Sequence, residues 1–494
     1  MRHPSAVWRI FVTCWLIYCL HFASNTVREI YPALSLGDSF SLQVDEYAGM
    51  HDDIFEKPGY GYHINSNPGA SLLAAIPYGV FSPAINTIVA RVNEGRSAHG
   101  NAHPPAYDSP WENDHVFYAE AWRRGLDVKF GLAAIVMQTL LMAPVSALAV
   151  LGMFLLFRKL EVGETRAVLY SLLFAFGTPV FFRTATLNHN MLLGHFAFAG
   201  LLLLWNPKQL FRWSDRTRII LAGVAGGAGV LMDYSGAVFL AGLGLLALFK
   251  FREIRTIVWY AFGALGPLCV LWWAQYVSFG NPFLPAQHWM PPTEFTTGMD
   301  GVTLPAPDLM FANLFDYRFG LFTSAPILVL SLGALWAWRR LRIPVPELVF
   351  LFGSSAVLWL FSSSVQYAHL QFNTGVRYMA PTFALLFIPA ALYLMRLPVM
   401  FQGLVAVAAI TQAWCMAMYR DVERGLGLLE PILHVFTGGL QLPFFTVLSR
   451  MNGQYGEYFS NGASPLPLLL LMAAILFVLW WPYLRVSEAR RDTQ

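Results

Sequence analysis

The chain has 494 residues, 56% of them hydrophobic and only 12% charged, with a mean hydropathy of +0.50. Soluble domains carry about a quarter charged residues, so much of this surface must meet lipid rather than water. The net charge of +3 comes with neither a basic face nor a basic-aromatic interleave, which argues against nucleic acid as a partner.

A bilayer core takes about 20 apolar residues per helix. In chain order, spans are predicted at Val7 to Ser24, Phe130 to Phe157, Ala167 to Phe182, Leu187 to Trp205, Thr256 to Phe279, Leu321 to Trp338, Leu348 to Ser363, Tyr378 to Met395, Met400 to Tyr419 and Leu466 to Leu484. The first follows a short basic start and lacks a small-x-small cleavage site, so it reads as a retained span. Cys14, Cys19, Cys269 and Cys415 all lie inside apolar runs, as small buried hydrophobes rather than a disulfide or zinc framework. Ile219 to Met232 and Ser235 to Phe249 are shorter runs split by Asp233 and Tyr234. One long helix there would bury a carboxylate mid-bilayer at a cost of roughly 3 kcal/mol or more, so a hairpin of two helices is expected. With that hairpin, Arg158, Lys159, Lys208, Arg212, Lys250, Arg252, Arg339, Arg340, Arg396 and Arg485 all gather on one face. The positive-inside rule then gives an all-α polytopic membrane protein of about twelve transmembrane helices, with N- and C-termini cytoplasmic.

Three segments face the opposite side and are too long to be connectors: Asn25 to Lys129, Gly280 to Gly320 and Arg420 to Ala463. In the first, Ala70 to Val92 is apolar but interrupted by Pro77 and Pro83, which suits helices lying along the membrane surface. Residues 1–419, including the outer loop 26–129, are expected to form one catalytic module. Residues 420–494 then add an outer loop, a final span and a cytoplasmic tail. No internal repeat supports an inverted-repeat transporter.

Asp45-Glu46-Tyr47 follows the first span, then His51-Asp52-Asp53, and then Asn65-Ser66-Asn67-Pro68-Gly69. Adjacent carboxylates at a membrane surface serve as a general base or bind a divalent metal; the alternative is a solvated acidic loop. An early span, an outward Asp-Glu pair, a Pro-containing stretch leading into surface helices, and then many spans resemble the GT-C glycosyltransferases. Asp45-Glu46-Tyr47 is similar to the Asp-Glu pair of the protein O-mannosyltransferase and aminoarabinose transferase branches. Asn67-Pro68-Gly69-Ala70-Ser71 is similar to the Pro-containing segment of bacterial members, with Asn67 where a second proline is usual. Thr186-Leu187-Asn188-His189-Asn190, Tyr317-Arg318-Phe319-Gly320 and Gly375-Val376-Arg377-Tyr378 share the texture of later outer segments. The insert from Asn93 to His115 has no counterpart in the resemblance.

The resemblance implies transfer of a sugar from a polyprenyl-phosphate donor to a lipid, glycan or protein acceptor of the envelope, on the periplasmic face of a bacterial inner membrane. It points to Asp45 as the base, with Glu46 supporting it or holding a divalent cation. No other cofactor is expected. For the phosphate, the candidates among the outward basic residues are Arg377, Arg318, Arg183 and Lys57, since guanidinium forks bind phosphate oxygens bidentately. Snorkelling arginines anchoring helix ends are the alternative for Arg318 and Arg183. His189 would orient phosphate or acceptor, and Asn67 belongs to the Pro-containing motif beside the substrate. Asp233 reads first as a cap for the helix beginning near Ser235. The competing functions are a transporter or flippase of lipid-linked glycans and an inactive membrane scaffold. A transporter would carry ionisable or helix-breaking residues deep in several spans, whereas here the polar groups cluster in outer loops.

Overall fold

A computed structural model of the chain describes residues 6–24, 26–98, 106–107, 112–293, 298–341, 343–371, 375–419, 425–445, 451–452 and 464–491. These fold into α1 (Ala6–Leu20), α2 (Ile30–Ser39), α3 (Gly69–Ala98), α4 (Glu112–Arg123), α5 (Asp127–Lys159), α6 (Glu164–Phe176), α7 (His189–Trp205), α8 (Asp215–Met232) and α9 (Gly236–Phe251). They continue with α10 (Ile254–Phe279), α11 (Pro307–Phe315), α12 (Pro326–Trp336), α13 (Val345–Ser362), α14 (Ala380–Leu394), α15 (Val399–Met418), α16 (Leu429–Gly438) and α17 (Leu466–Arg491). Among the described residues, strand is confined to two antiparallel pairs, β1 (Ile54–Lys57) with β2 (Gly61–Ile64), and β3 (Ala106–Tyr107) with β4 (Met451–Asn452). The second pair joins the first outer loop to the last. Parts of the 93–115 insert and of the 420–463 loop lie outside the described residues.

Among the described residues, six helices are long and apolar enough to cross a membrane: α3, α5, α10, α13, α15 and α17; α1, α7, α9, α12 and α14 are shorter and apolar. Every run predicted as a span is mostly helical, with breaks at Gly177–Pro179 and at Ala325. The chain is an all-α polytopic membrane protein.

Turns between spans fall at two ends of the bundle. At the basic end, Lys159 Nζ donates to the Lys208 carbonyl at 3.2 Å, Lys250 Nζ reaches Glu347 Oε1 at 2.6 Å and the Trp205 carbonyl at 2.8 Å, and Arg396 donates to the Arg340 carbonyl. The two terminal helices lie side by side. Arg9 Nε donates to the Leu479 carbonyl at 2.8 Å and Trp480 Nε1 to Thr13 Oγ1 at 2.8 Å, so the start of α1 and the last turns of α17 share the basic end. The long segments occupy the other, loop end, where Asn67 Nδ2 donates to the Val230 carbonyl at 2.8 Å and Gln412 Nε2 to the Thr323 carbonyl at 2.5 Å.

Helix α3 is one continuous helix through Pro77 and Pro83 rather than several. Pro83 has no N–H to give the Gly79 carbonyl, and the Ser82 hydroxyl takes that place at 3.3 Å. Although α3 is long enough to span, both its ends lie at the loop end. Gly69 abuts Leu231 and Met232 at the outer tip of α8, and Arg96 forks onto Asp127, the first residue of α5, through two bonds of 2.8 Å. It therefore runs along the bundle end, as the prolines predict.

Helices α8 and α10 make the tightest contact. A Cβ on Gly223 would run into the Tyr260 carbonyl and one on Gly263 into the Ile220 carbonyl, so only glycine permits the backbones to approach this closely. The α8–α9 turn falls at Asp233–Ser235: the N-cap of α9 is Ser235 rather than the expected Asp233, which is the C-cap of α8 and accepts the Ser235 N–H on Oδ1 at 2.9 Å. The carboxylate thereby stays out of the apolar layer.

Candidate active site

The loop end encloses a cavity of about 720 Å³. Its walls come from the turn after α1, the residues before β1, one face of α4, the start of α7, the α8–α9 turn, and the segment leading into α14. No two of these are consecutive in sequence.

The floor is built around Glu29, just before α2 and almost fully buried. Arg28 Nε meets Glu29 Oε1 at 3.1 Å while its Nη1 meets Asp53 Oδ2 at 3.1 Å, so one guanidinium holds the α1–α2 turn to the chain entering β1. His189 opens α7, capped by Asn188, whose Oδ1 accepts from the Met191 N–H at 3.1 Å. That cap fixes the imidazole, which sets Nδ1 2.5 Å from Glu29 Oε1 and Nε2 3.7 Å from Asp233 Oδ2. Burial alone would raise the Glu29 carboxyl, yet His189, Arg28 and Arg377 together hold it well below the usual carboxylate range. His51 is pushed down from its ordinary value first by burial and then by Arg28, against Asp53, Asp52 and Glu29, which raise it. A third of its side-chain surface stays open to the cavity, so burial acts on it only in part. The Asp53 N–H donates to His51 Nδ1 at 3.0 Å, which leaves Nε2 as the protonated nitrogen of the neutral ring.

Opposite stands Arg377. Arg183, buried, donates through Nε to the Val376 carbonyl at 2.7 Å and through Nη2 to the Gly375 carbonyl. Gly375 adopts φ +70, a left-handed turn that glycine takes without strain. The Arg377 and Tyr378 N–H groups both donate to Gln371 Oε1, at 2.8 and 3.1 Å. With its backbone fixed this way, Arg377 lines the cavity, its guanidinium 5.5 Å from the Tyr378 ring and, among the described residues, without an ion pair or side-chain hydrogen bond. A cation at a cavity wall without a direct ion pair among the described residues, its field reaching Glu29 only at a distance, is a ready anion site.

Helix α4 closes part of the opening. Asn113 Nδ2 donates to Asp52 Oδ2 at 2.8 Å, Phe117 and Tyr118 line the wall, and Arg124 just beyond the helix grips the Glu46 and Ala48 carbonyls at 3.1 and 2.9 Å. Part of the unplaced 93–115 insert is thus cavity wall.

The structure brings together only some of the predicted site residues. Arg377, Arg183 and His189 line the cavity; Asp45, Glu46, Lys57, Arg318 and Asn67 do not. Asp45 Oδ1 accepts the Tyr62 N–H at 2.7 Å and pins the β hairpin, while Glu46 lies 3.4 Å from Lys129 Nζ, which also meets Asp38 at 3.1 Å. Each carboxylate is engaged separately, so the pair does not fit a shared cation. Among the described residues, no three His, Cys, Asp or Glu side chains form a metal cluster. Lys57 lies over the Trp289 ring at 3.3 Å, Arg318 pairs with Asp316, and Asn67 ties α3 to α8. Sequence reasoning missed Arg28 and Glu29 as site residues. The available signal was an adjacent Arg-Glu pair eight residues beyond an apolar helix.

No family model and no curated protein matches the chain. Among solved structures, it is similar to ArnT from Cupriavidus metallidurans in the apo state, at 14% identity and a TM-score of 0.49, over 88% of this chain and 67% of that one.

Proposed function

We propose that this chain is a GT-C type glycosyltransferase that moves a sugar from a polyprenyl-phosphate donor to a hydroxyl-bearing envelope acceptor at the periplasmic face of a bacterial inner membrane. The observation that carries the reading is the Arg377 guanidinium, without an ion pair among the described residues, lining one cavity with the Glu29–His189–Asp233 group at the bundle's loop end. Arg377 takes the phosphate of the lipid donor as a bidentate anion. Glu29 holds Nδ1–H of His189, leaving Nε2 and the Asp233 carboxylate to accept a proton from the acceptor hydroxyl. The acceptor oxygen then bonds to the anomeric carbon, the bond from that carbon to the phosphate oxygen breaks, and the lipid phosphate leaves with both electrons toward Arg377. Asp45 becomes a hairpin-pinning residue in this reading.

Purified protein in lipid nanodiscs, given a polyprenyl-phosphate sugar and envelope extract, tests this by mass spectrometry of the products. Arg377→Lys is expected to keep turnover but raise KM for the donor about tenfold, because a point charge replaces a fork. His189→Ala is expected to cut kcat about 100-fold or more. Movement of intact lipid-linked glycan across the bilayer without bond exchange, or His189→Ala at wild-type rate, would refute the assignment.

A further inference from the structure

Helix α16 carries a surface that the cavity does not use. Leu429, Leu433 and Phe436 are all well exposed, Phe436 by 74%, and their three- and four-residue spacing puts them on one side, with exposed Leu426 and Leu440 flanking the helix. Pro431 and Val435 face inward. Glu430 and His434, joined at 3.1 Å, share a third arc with exposed Thr437. The helix thus has one flank on protein, one apolar flank facing out, and one polar flank.

Its place in the bundle says what covers the apolar flank. α16 packs on α15, His434 stacks on Tyr419 at 5.1 Å, and Tyr419 Oη donates to the Gly439 carbonyl at 3.3 Å, so it lies across the outer end of a spanning helix. Beyond it, Phe444 stacks on Phe22, just past α1, at 4.9 Å. Both neighbours mark the level where apolar spans give way to loop. An outward stripe of three large apolar side chains at that level is a lipid contact.

We propose that α16 lies in the plane of the outer leaflet, with Leu429, Leu433 and Phe436 in the boundary between headgroups and acyl chains and the Glu430–His434 flank toward water. The same helix is tied to the cavity wall, since the Leu428 N–H donates to the Tyr317 carbonyl at 2.9 Å and the Leu428 side chain borders Gly375. The placement holds whatever the cavity transfers.

The test uses the full chain in nanodiscs of phosphatidylethanolamine and phosphatidylglycerol, with the four native cysteines replaced by serine or alanine. Single cysteines at Leu433, Phe436 and Thr437 receive a nitroxide, and collision with oxygen and with a water-soluble nickel chelate is measured by electron paramagnetic resonance. Thermal melting of each labelled protein confirms that it stays folded. The ratio of oxygen to nickel access is expected to be several-fold higher at 433 and 436 than at 437. Equal ratios at the three positions, or exclusion of both relaxants from 433 and 436 as under a protein partner, would overturn the proposal.

Discussion

Glu29 is the residue on which the cavity floor depends. Its folded value lies below its unfolded one, so its contribution is complete above about pH 4.3 and is lost only as pH falls through the folded value. At neutral pH, Glu29→Gln leaves Arg28 leaning on Asp53 alone and deprives the imidazole of its partner, so a loss of about 3 kcal/mol is expected, read as a lower melting temperature in detergent. His51 works at milder pH. The fold favours its neutral ring, so the unfolded chain takes up the proton first and stability declines as pH drops below about 6.5. His51→Gln should flatten the fall of melting temperature as pH drops below about 6.5; an unchanged slope would show that another group titrates there. At this scale the sequence was least legible. Asp45 and Glu46 drew attention because they are adjacent, yet the hairpin and Lys129 absorb them. The contacts that make the site, Glu29 to His189, Arg28 to Asp53 and Arg183 to Gly375, join residues far apart along the chain, and spacing carries no trace of them.

Helices were far more readable, because an apolar run in lipid has few alternatives to helix. The α8–α9 hairpin was legible from Asp233 alone, since one carboxylate in an apolar stretch has to reach a polar layer. Two prolines predicted that α3 would stay off the spanning axis; that the helix would run unbroken through both was not visible, because Ser82 repairs the Pro83 gap from one residue before it. Nor did the glycines of α8 and α10 announce their partners. Gly223→Val or Gly263→Leu forces a side chain into a facing carbonyl, and overpacking of this kind costs about 1–3 kcal/mol. Gly266, on the same helix as Gly263, has nothing within 4 Å of its added Cβ, so Gly266→Ala should melt at or slightly above the wild-type temperature. If the three variants melted alike, close approach of α8 and α10 would not be what the glycines provide.

Over the whole molecule, the placement of α3 decides the sidedness of everything after it. If it lies along the loop end, as its contacts with Met232 and Asp127 indicate, α5 enters from that end and later turns alternate as the basic clusters require. If it crossed, every basic turn from Lys159 onward would be moved outside. Single cysteines in a background without the native four separate the two arrangements. Gly95, exposed near the end of α3, and Gly163, exposed between α5 and α6, both have open space around them. In intact cells carrying a permeable outer membrane, a membrane-impermeant maleimide is expected to label Gly95→Cys readily and to reach Gly163→Cys only after the inner membrane is opened. Under the positive-inside rule arginines and lysines stay on the cytoplasmic side, and the proposed function then has the cavity open to the periplasm. Labelling of Gly163→Cys in intact cells would invert the bundle, place Arg377 and His189 in the cytoplasm, and remove the periplasmic reaction with them.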